Sequence, residues 1–171
     1  MNTFPTPSVT RRLACMLYES MLLFGVIFAA GLAFSTLLEQ RNALYLRGAL
    51  QDWLFVVIGL YFVWFWTHGG QTLAMQTWRI RLVTHTGQPV KLVRATARYM
   101  LAWLWVGPGL AASWWHHATG WNLLLFPALN FVLWTLTVYL DPEQRFLHDR
   151  IAGTRLISIE NSASALKKIR S

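Results

Sequence analysis

The chain has 171 residues, a net charge of +8, 55% hydrophobic residues and only 13% charged ones, whereas a soluble domain carries about 25% charged residues. Ten tryptophans and ten phenylalanines exceed what a soluble core of this size uses, so the composition indicates a one-domain integral membrane protein. The basic balance comes with no nucleic-acid recognition motif, and the single cysteine, Cys15, excludes an intrachain disulfide and a CxxC-type zinc site.

Residues 1–12 form a short N-terminus ending in Arg11 and Arg12. The first hydrophobic run, 13–38, contains one charged residue, Glu19. A run of about 20 apolar residues crosses the hydrocarbon core. This one is too long for a signal-peptide core of about 7–15 residues, so an uncleaved helix is expected. A carboxylate there costs roughly 2.5–3.5 kcal/mol on insertion scales, and a residue kept at that cost needs a partner or a task. Cys15 reads as a small packing residue.

The second run covers about 49–67, with Asp52 near its start. Gly69-Gly70 closes it. Trp78 to Val83 alternates as a half-exposed strand does, and Thr86-Gly87-Gln88-Pro89 supplies turn chemistry. Lys91, Arg94 and Arg98 recur at helical spacing and predict one basic, solvated face near anionic headgroups. The third run, about 99–115, contains Gly107-Pro108-Gly109, which predicts a kink or break; a tilted or re-entrant segment is the alternative to a full span. The fourth run, about 121–140, carries no charge. Trp103, Trp105, Trp114, Trp115 and Trp121 lie within or at the edges of the last two runs, and those near the ends read as interfacial belt residues, with a ligand-binding aromatic cage as the alternative. His116 and His117 are adjacent and lack a third ligand, so no metal site is expected, and no cofactor motif is present.

In the tail, Asp141 is a good N-cap and Pro142 suits the first helical position. The spacing predicts a helix from Pro142 to about Ala152, closed by Gly153, with Arg145 and Asp149 paired four apart. Thr154 to Ile159 reads as a strand, expected to pair with the strand around Ile80. Residues 158–171 read as a loose basic tail.

With four spans, thirteen of the fifteen Lys and Arg residues fall on one side, and only Arg41 and Arg47 on the other. That bias places both termini in the cytoplasm. The expected architecture is an all-α polytopic membrane protein of four transmembrane helices. A small cytoplasmic β element between helices two and three is joined by a C-terminal strand.

These residues carry a pattern that resembles the RDD family of bacterial integral membrane proteins, named for an arginine and two aspartates. Arg12 seven positions before Glu19, the segment Gly70-Gln71-Thr72-Leu73-Ala74-Met75, Gly87-Gln88-Pro89 with Arg98, and Arg145 to Thr154 with His148 and Asp149 match its motifs in order. The resemblance covers about residues 8–157 and implies a membrane domain over 13–157. Two positions depart from it: Glu19 stands for the first family aspartate, and Ala74 for a family glycine. The resemblance implies a multi-pass protein of the bacterial inner membrane that transports small ligands, with cation/proton exchange as one form.

Two readings follow. In the first, Glu19 is a buried carboxylate that binds a proton or a cation, and the chain transports small ions or solutes as a homo-oligomer. In the second, Arg12, Glu19 and Asp149 form a structural lock in a non-transporting scaffold, and Asp149 is the partner of Arg12. Residues seven apart on a helix share a face but lie about 10 Å apart along the axis, so Arg12 and Glu19 need a third element between them. Gln71, Arg98, Arg145 and His148 are the secondary candidates. No nucleophile motif, metal cluster or phosphate loop is present, so an enzyme is not expected. Expected partners are membrane lipids with anionic headgroups and a small cation or solute, but no nucleic acid.

Overall fold

A computed structural model describes residues 6–38, 46–142 and 144–159. The basic tail beyond Ile159, Arg41 and Glu143 lie outside the described residues. The described residues are mostly helical, at 71%, with a two-stranded sheet.

Helix α1 runs Val9–Leu37 and α2 runs Arg47–His68. Ser8 caps α1 by accepting from the Arg11 amide at 3.3 Å, which meets one of the unpaired amides of the first turn. Buried positions on α1 are Arg12, Cys15, Glu19, Ala30 and Phe34, a stripe with helical spacing. Leu17, Met21, Phe24, Phe28 and Leu32 point outward, as side chains facing lipid do.

The chain leaves α2 through Gly70, whose φ is +72°. A Cβ there would lie 2.6 Å from the Leu82 carbonyl oxygen, so only glycine lets the sheet approach. Thr72 caps the short helix α3, Leu73–Thr77. Strand β1, Ile80–Thr84, pairs antiparallel with β2, Thr154–Ser158, Leu82 standing opposite Leu156. The two strands expected to meet across the chain do form one ladder.

The third run is not one helix. It is divided into α4, Leu92–Ala102, a 3₁₀ turn at Trp103–Trp105, and α5, Gly107–Trp115. Pro108 sits at the start of α5, where its missing N–H costs nothing. Helix α6, Asn122–Leu136, continues as a 3₁₀ turn to Leu140. Gly109 lets α5 close on α6, since a Cβ there would be 2.6 Å from Pro127 Cα. Among the described residues, three helices are long and apolar enough to cross a membrane: Val9–Leu37, Arg47–His68 and Asn122–Leu140.

The tail helix is shorter than its local pattern predicts. Helix α7 covers only Leu147–Ile151. Asp141 spends its carboxylate on Arg145, accepting from its backbone N at 3.0 Å and its Nε at 2.8 Å. Gln144 turns to a φ of +51°, so the chain enters α7 after a turn instead of as a continuous helix. The expected Arg145–Asp149 pair is therefore replaced by Arg145–Asp141.

Candidate functional site

A cavity of about 410 Å³ lies between α1 and α4, with α2 as its floor. Four polar side chains of the motif pattern reach its wall: Arg12, Glu19, Arg98 and His148. The rest is largely carbon, including Phe62, Trp66, Tyr99 and Trp103.

Glu19 is buried, and its carboxylate accepts from two hydroxyls. Tyr61 on α2 donates to Oε1 at 2.7 Å, and Thr72 donates to Oε2 through a short hydrogen bond. The Thr72 oxygen also accepts from the Met75 amide, so one residue caps α3 and holds the acid. Among the described residues, no lysine, arginine or histidine pairs with Glu19.

Arg12 does not bond to Asp149. It is 2% exposed and donates from Nε to the Pro7 carbonyl at 2.9 Å and from Nη1 to the Gln144 carbonyl at 2.6 Å. Its guanidinium stands 5.3 Å from the Phe146 ring centroid. The third element expected between Arg12 and Glu19 is thus two elements: the tail backbone for the arginine, and α2 with the start of α3 for the acid.

Asp149 pairs instead with Arg98, from which Oδ1 accepts at 2.6 Å, with side chains 1% and 9% exposed. Arg98 also lies over Trp66 at 4.2 Å. The basic face expected over Lys91, Arg94 and Arg98 is therefore split: Lys91 and Arg94 are exposed, and Arg98 turns inward. Burial pushes the Asp149 carboxyl up, but Arg98, His148 and Arg12 outweigh it together and hold it below the usual carboxylate range.

His148 is buried in α7, where Nδ1 accepts from Trp105 Nε1 at 3.0 Å and from Trp134 Nε1 at 3.4 Å. With Nδ1 an acceptor, the proton of the neutral ring is on Nε2, which lies 3.6 Å from Asp149 Oδ1. Burial pushes the His148 pKa down to about 4, so the ring is neutral at physiological pH. Trp105 is consequently a buried structural donor, while Trp114, Trp115 and Trp121 are 76–87% exposed.

Gln71 donates from Nε2 to the Ile80 carbonyl at 2.7 Å and steadies the entry to β1. Arg145, bound to Asp141, also meets His85 at 3.0 Å, and that bonding holds the Asp141 carboxyl low. Neither residue lines the cavity.

Three partners escaped the motif reading. Tyr61 had a visible signal as the only tyrosine in the second run. Thr72 lay inside a matched segment without a role of its own. Arg11 looks in the sequence like a flanking charge beside Arg12, but it donates to the Trp78 carbonyl at 2.9 Å and to Ser158 Oγ at 3.2 Å and ties α1 to the sheet.

No curated protein and no solved structure matches the chain. The model of the RDD family matches residues 6–153, a stretch holding Arg12, Glu19, Arg98, His148 and Asp149. The chain, with its apolar helices and motif residues in register, belongs to the RDD family of membrane proteins.

Proposed function

We propose that this chain is a bacterial inner-membrane protein that moves small ions or solutes, exchanging them against protons at Glu19. The observation that carries this is the choice of partners around the acid. A hydroxyl both donates and accepts. Tyr61 and Thr72 can therefore donate to the charged carboxylate, or turn to accept from the protonated one. A guanidinium would serve only the charged form. Glu19 is held in place without its charge being cancelled, and it reaches a cavity.

Four crossings with both termini cytoplasmic suit this arrangement. The N-terminal end of α1, the sheet and the tail meet through Arg11 and Arg12, and α4 joins the same end through Arg98 and Asp149. Helix α6 returns to that end, since its terminal turn packs with Phe146. In this reading the broken segment 92–115 passes from that end to the start of α6 and serves as the third crossing. A chain this small leaves little room for a pathway of its own, so a homo-oligomer is the functional unit.

The second reading is a non-transporting scaffold. The buried Arg98–Asp149 pair and the two arginines that tie α1 to the tail favour it. Reconstitution in proteoliposomes separates the two. Transport requires proton flux coupled to a sodium, potassium or lithium gradient, with loss in a folded Glu19→Gln variant. Wild-type flux equal to that of empty vesicles, with these cations and with an organic cation gradient alike, leaves only the scaffold.

A further inference from the structure

The wall of the cavity constrains what Glu19 can accept. Ile58, Phe62, Met75, Tyr99, Ala102 and Trp103 give it a carbon lining. Few polar groups interrupt that lining, and removing the water from a small inorganic ion costs several kcal/mol after relaxation. One carboxylate among hydrocarbon is a poor replacement for that hydration shell. A large organic ion with a diffuse charge carries its own apolar surface and loses much less.

The charges at the wall decide the sign of such a ligand. Arg98 is neutralised by Asp149 at 2.6 Å. Arg12 keeps its charge without an ion pair among the described residues: Nε and Nη1 donate to backbone carbonyls, the buried Nη2 has no hydrogen-bond partner there, and the guanidinium packs on Phe146. It stands about 10 Å from Glu19 along the α1 axis. Glu19 is the acid at this wall that no cation answers among the described residues. A carboxylate set beside aromatic faces is the combination that recognises substituted ammonium groups, because ring faces attract cations as well.

A route in is also present. Met16, Trp103 and Val106 line the cavity and are 38–40% exposed. The opening therefore lies between α1 and the junction of α4 with α5. Met16 is one turn from Glu19 on a helix that is apolar enough to span the bilayer, which places the opening where a lipophilic cation partitions.

We propose that this cavity binds a lipophilic organic cation, with Glu19 as counter-ion and Phe62, Tyr99 and Trp103 as its aromatic wall. This names the solute class of the transport reading and rests on it.

The test uses tetraphenylphosphonium as the cation and tetraphenylborate as an anion of similar shape. Binding to the purified full chain in detergent is followed by calorimetry and by the fluorescence of the cavity tryptophans. Saturable binding of tetraphenylphosphonium is expected, weakened at least about tenfold in Glu19→Gln, with tetraphenylborate a poor competitor. Ala102→Trp, which fills the cavity and leaves Glu19 in place, should weaken it too, so a folding defect in one variant does not decide the result. Tetraphenylborate binding as tightly as the cation, or full cation binding by a folded Glu19→Gln, overturns the proposal, as does no binding by folded wild type. Proton flux coupled to inorganic cations without tetraphenylphosphonium binding sinks this inference but keeps the transport reading. Binding without any coupled flux in vesicles does the reverse.

Discussion

Asp149→Asn removes the charge from a side chain that is 1% exposed and bonded to Arg98 at 2.6 Å. Breaking one half of a buried ion pair costs about 3–5 kcal/mol, because the other charge stays buried and unanswered. The Trp66 face, 4.2 Å from the Arg98 guanidinium, returns part of this, so the lower end, about 3 kcal/mol, is expected. At about 2–4 °C per kcal/mol for a chain of this size, the melting midpoint in detergent falls by roughly 10 °C. Glu19→Gln behaves differently. Its partners are hydroxyls that reorient around an amide, and the cost is about 1 kcal/mol. The double variant Arg98→Met/Asp149→Leu removes both charges and should recover most of the Asp149→Asn loss. Tryptophan fluorescence during thermal unfolding measures all three. If Glu19→Gln falls as far as Asp149→Asn, or if the double variant is no better than the single one, the acids do not divide their roles as argued.

Acidification should destabilise the fold between about pH 6.5 and pH 4 through His148. Its folded pKa of about 4 lies below the ordinary value of about 6.5, so the unfolded chain binds the proton first. The contribution is complete above pH 6.5 and is lost as pH falls to 4, amounting to roughly 3 kcal/mol. His148→Gln, which keeps an acceptor for the indoles, should flatten that slope in a series of melts. Asp149 adds a separate loss at lower pH, below the ordinary aspartate value of about 4, because its carboxyl is held low in the folded state. Gly70→Ala should cost about 2 kcal/mol or more, since φ is +72° and the new Cβ meets Leu82 O at 2.6 Å; an unchanged melting midpoint would contradict the close approach of the sheet. Tyr61→Phe removes one donor from Glu19 worth about 1 kcal/mol. It should shift the half-saturating cation concentration of coupled proton flux about fivefold while the protein stays folded. An unshifted value would show that Tyr61 does not sense the state of the acid.

Glu19 was legible because isolation in an apolar run is a local property. The sheet was legible for a related reason: both strands carry their own alternation, and turn residues bound the first. The Arg98–Asp149 pair was not legible, because its members are 51 residues apart. Arg98 shares the helical spacing of Lys91 and Arg94, and no spacing rule tells which member of a basic face turns inward. Trp105 looked like the other tryptophans near a membrane interface until the tail placed His148 against it. The tail departs from its local pattern, because its capping grammar, Asp141 followed by Pro142, is correct for a helix. Tertiary demand decided otherwise. In a continuous helix the Gln144 carbonyl would accept from the amide four residues on. Here the turn at Gln144 frees that carbonyl for Arg12.

That exchange bears on why the motif residues sit so far apart in the chain. Arg12 gives up an ion pair with Asp149 and takes backbone carbonyls, so Asp149 is available to Arg98. Arg98 in turn is fixed over Trp66 on α2, one helical turn beyond Phe62. Each arginine therefore joins a different pair of segments, α1 to the tail and α4 to the tail. Asp149 is consumed by this assembly, and Glu19 is left beside a cavity with partners that tolerate either protonation state. A chain that needed only a lock could have closed it with an arginine for Glu19, at the same depth and with less empty volume. The cavity and the neutral partners are the two features on which the proposed exchange at Glu19 rests.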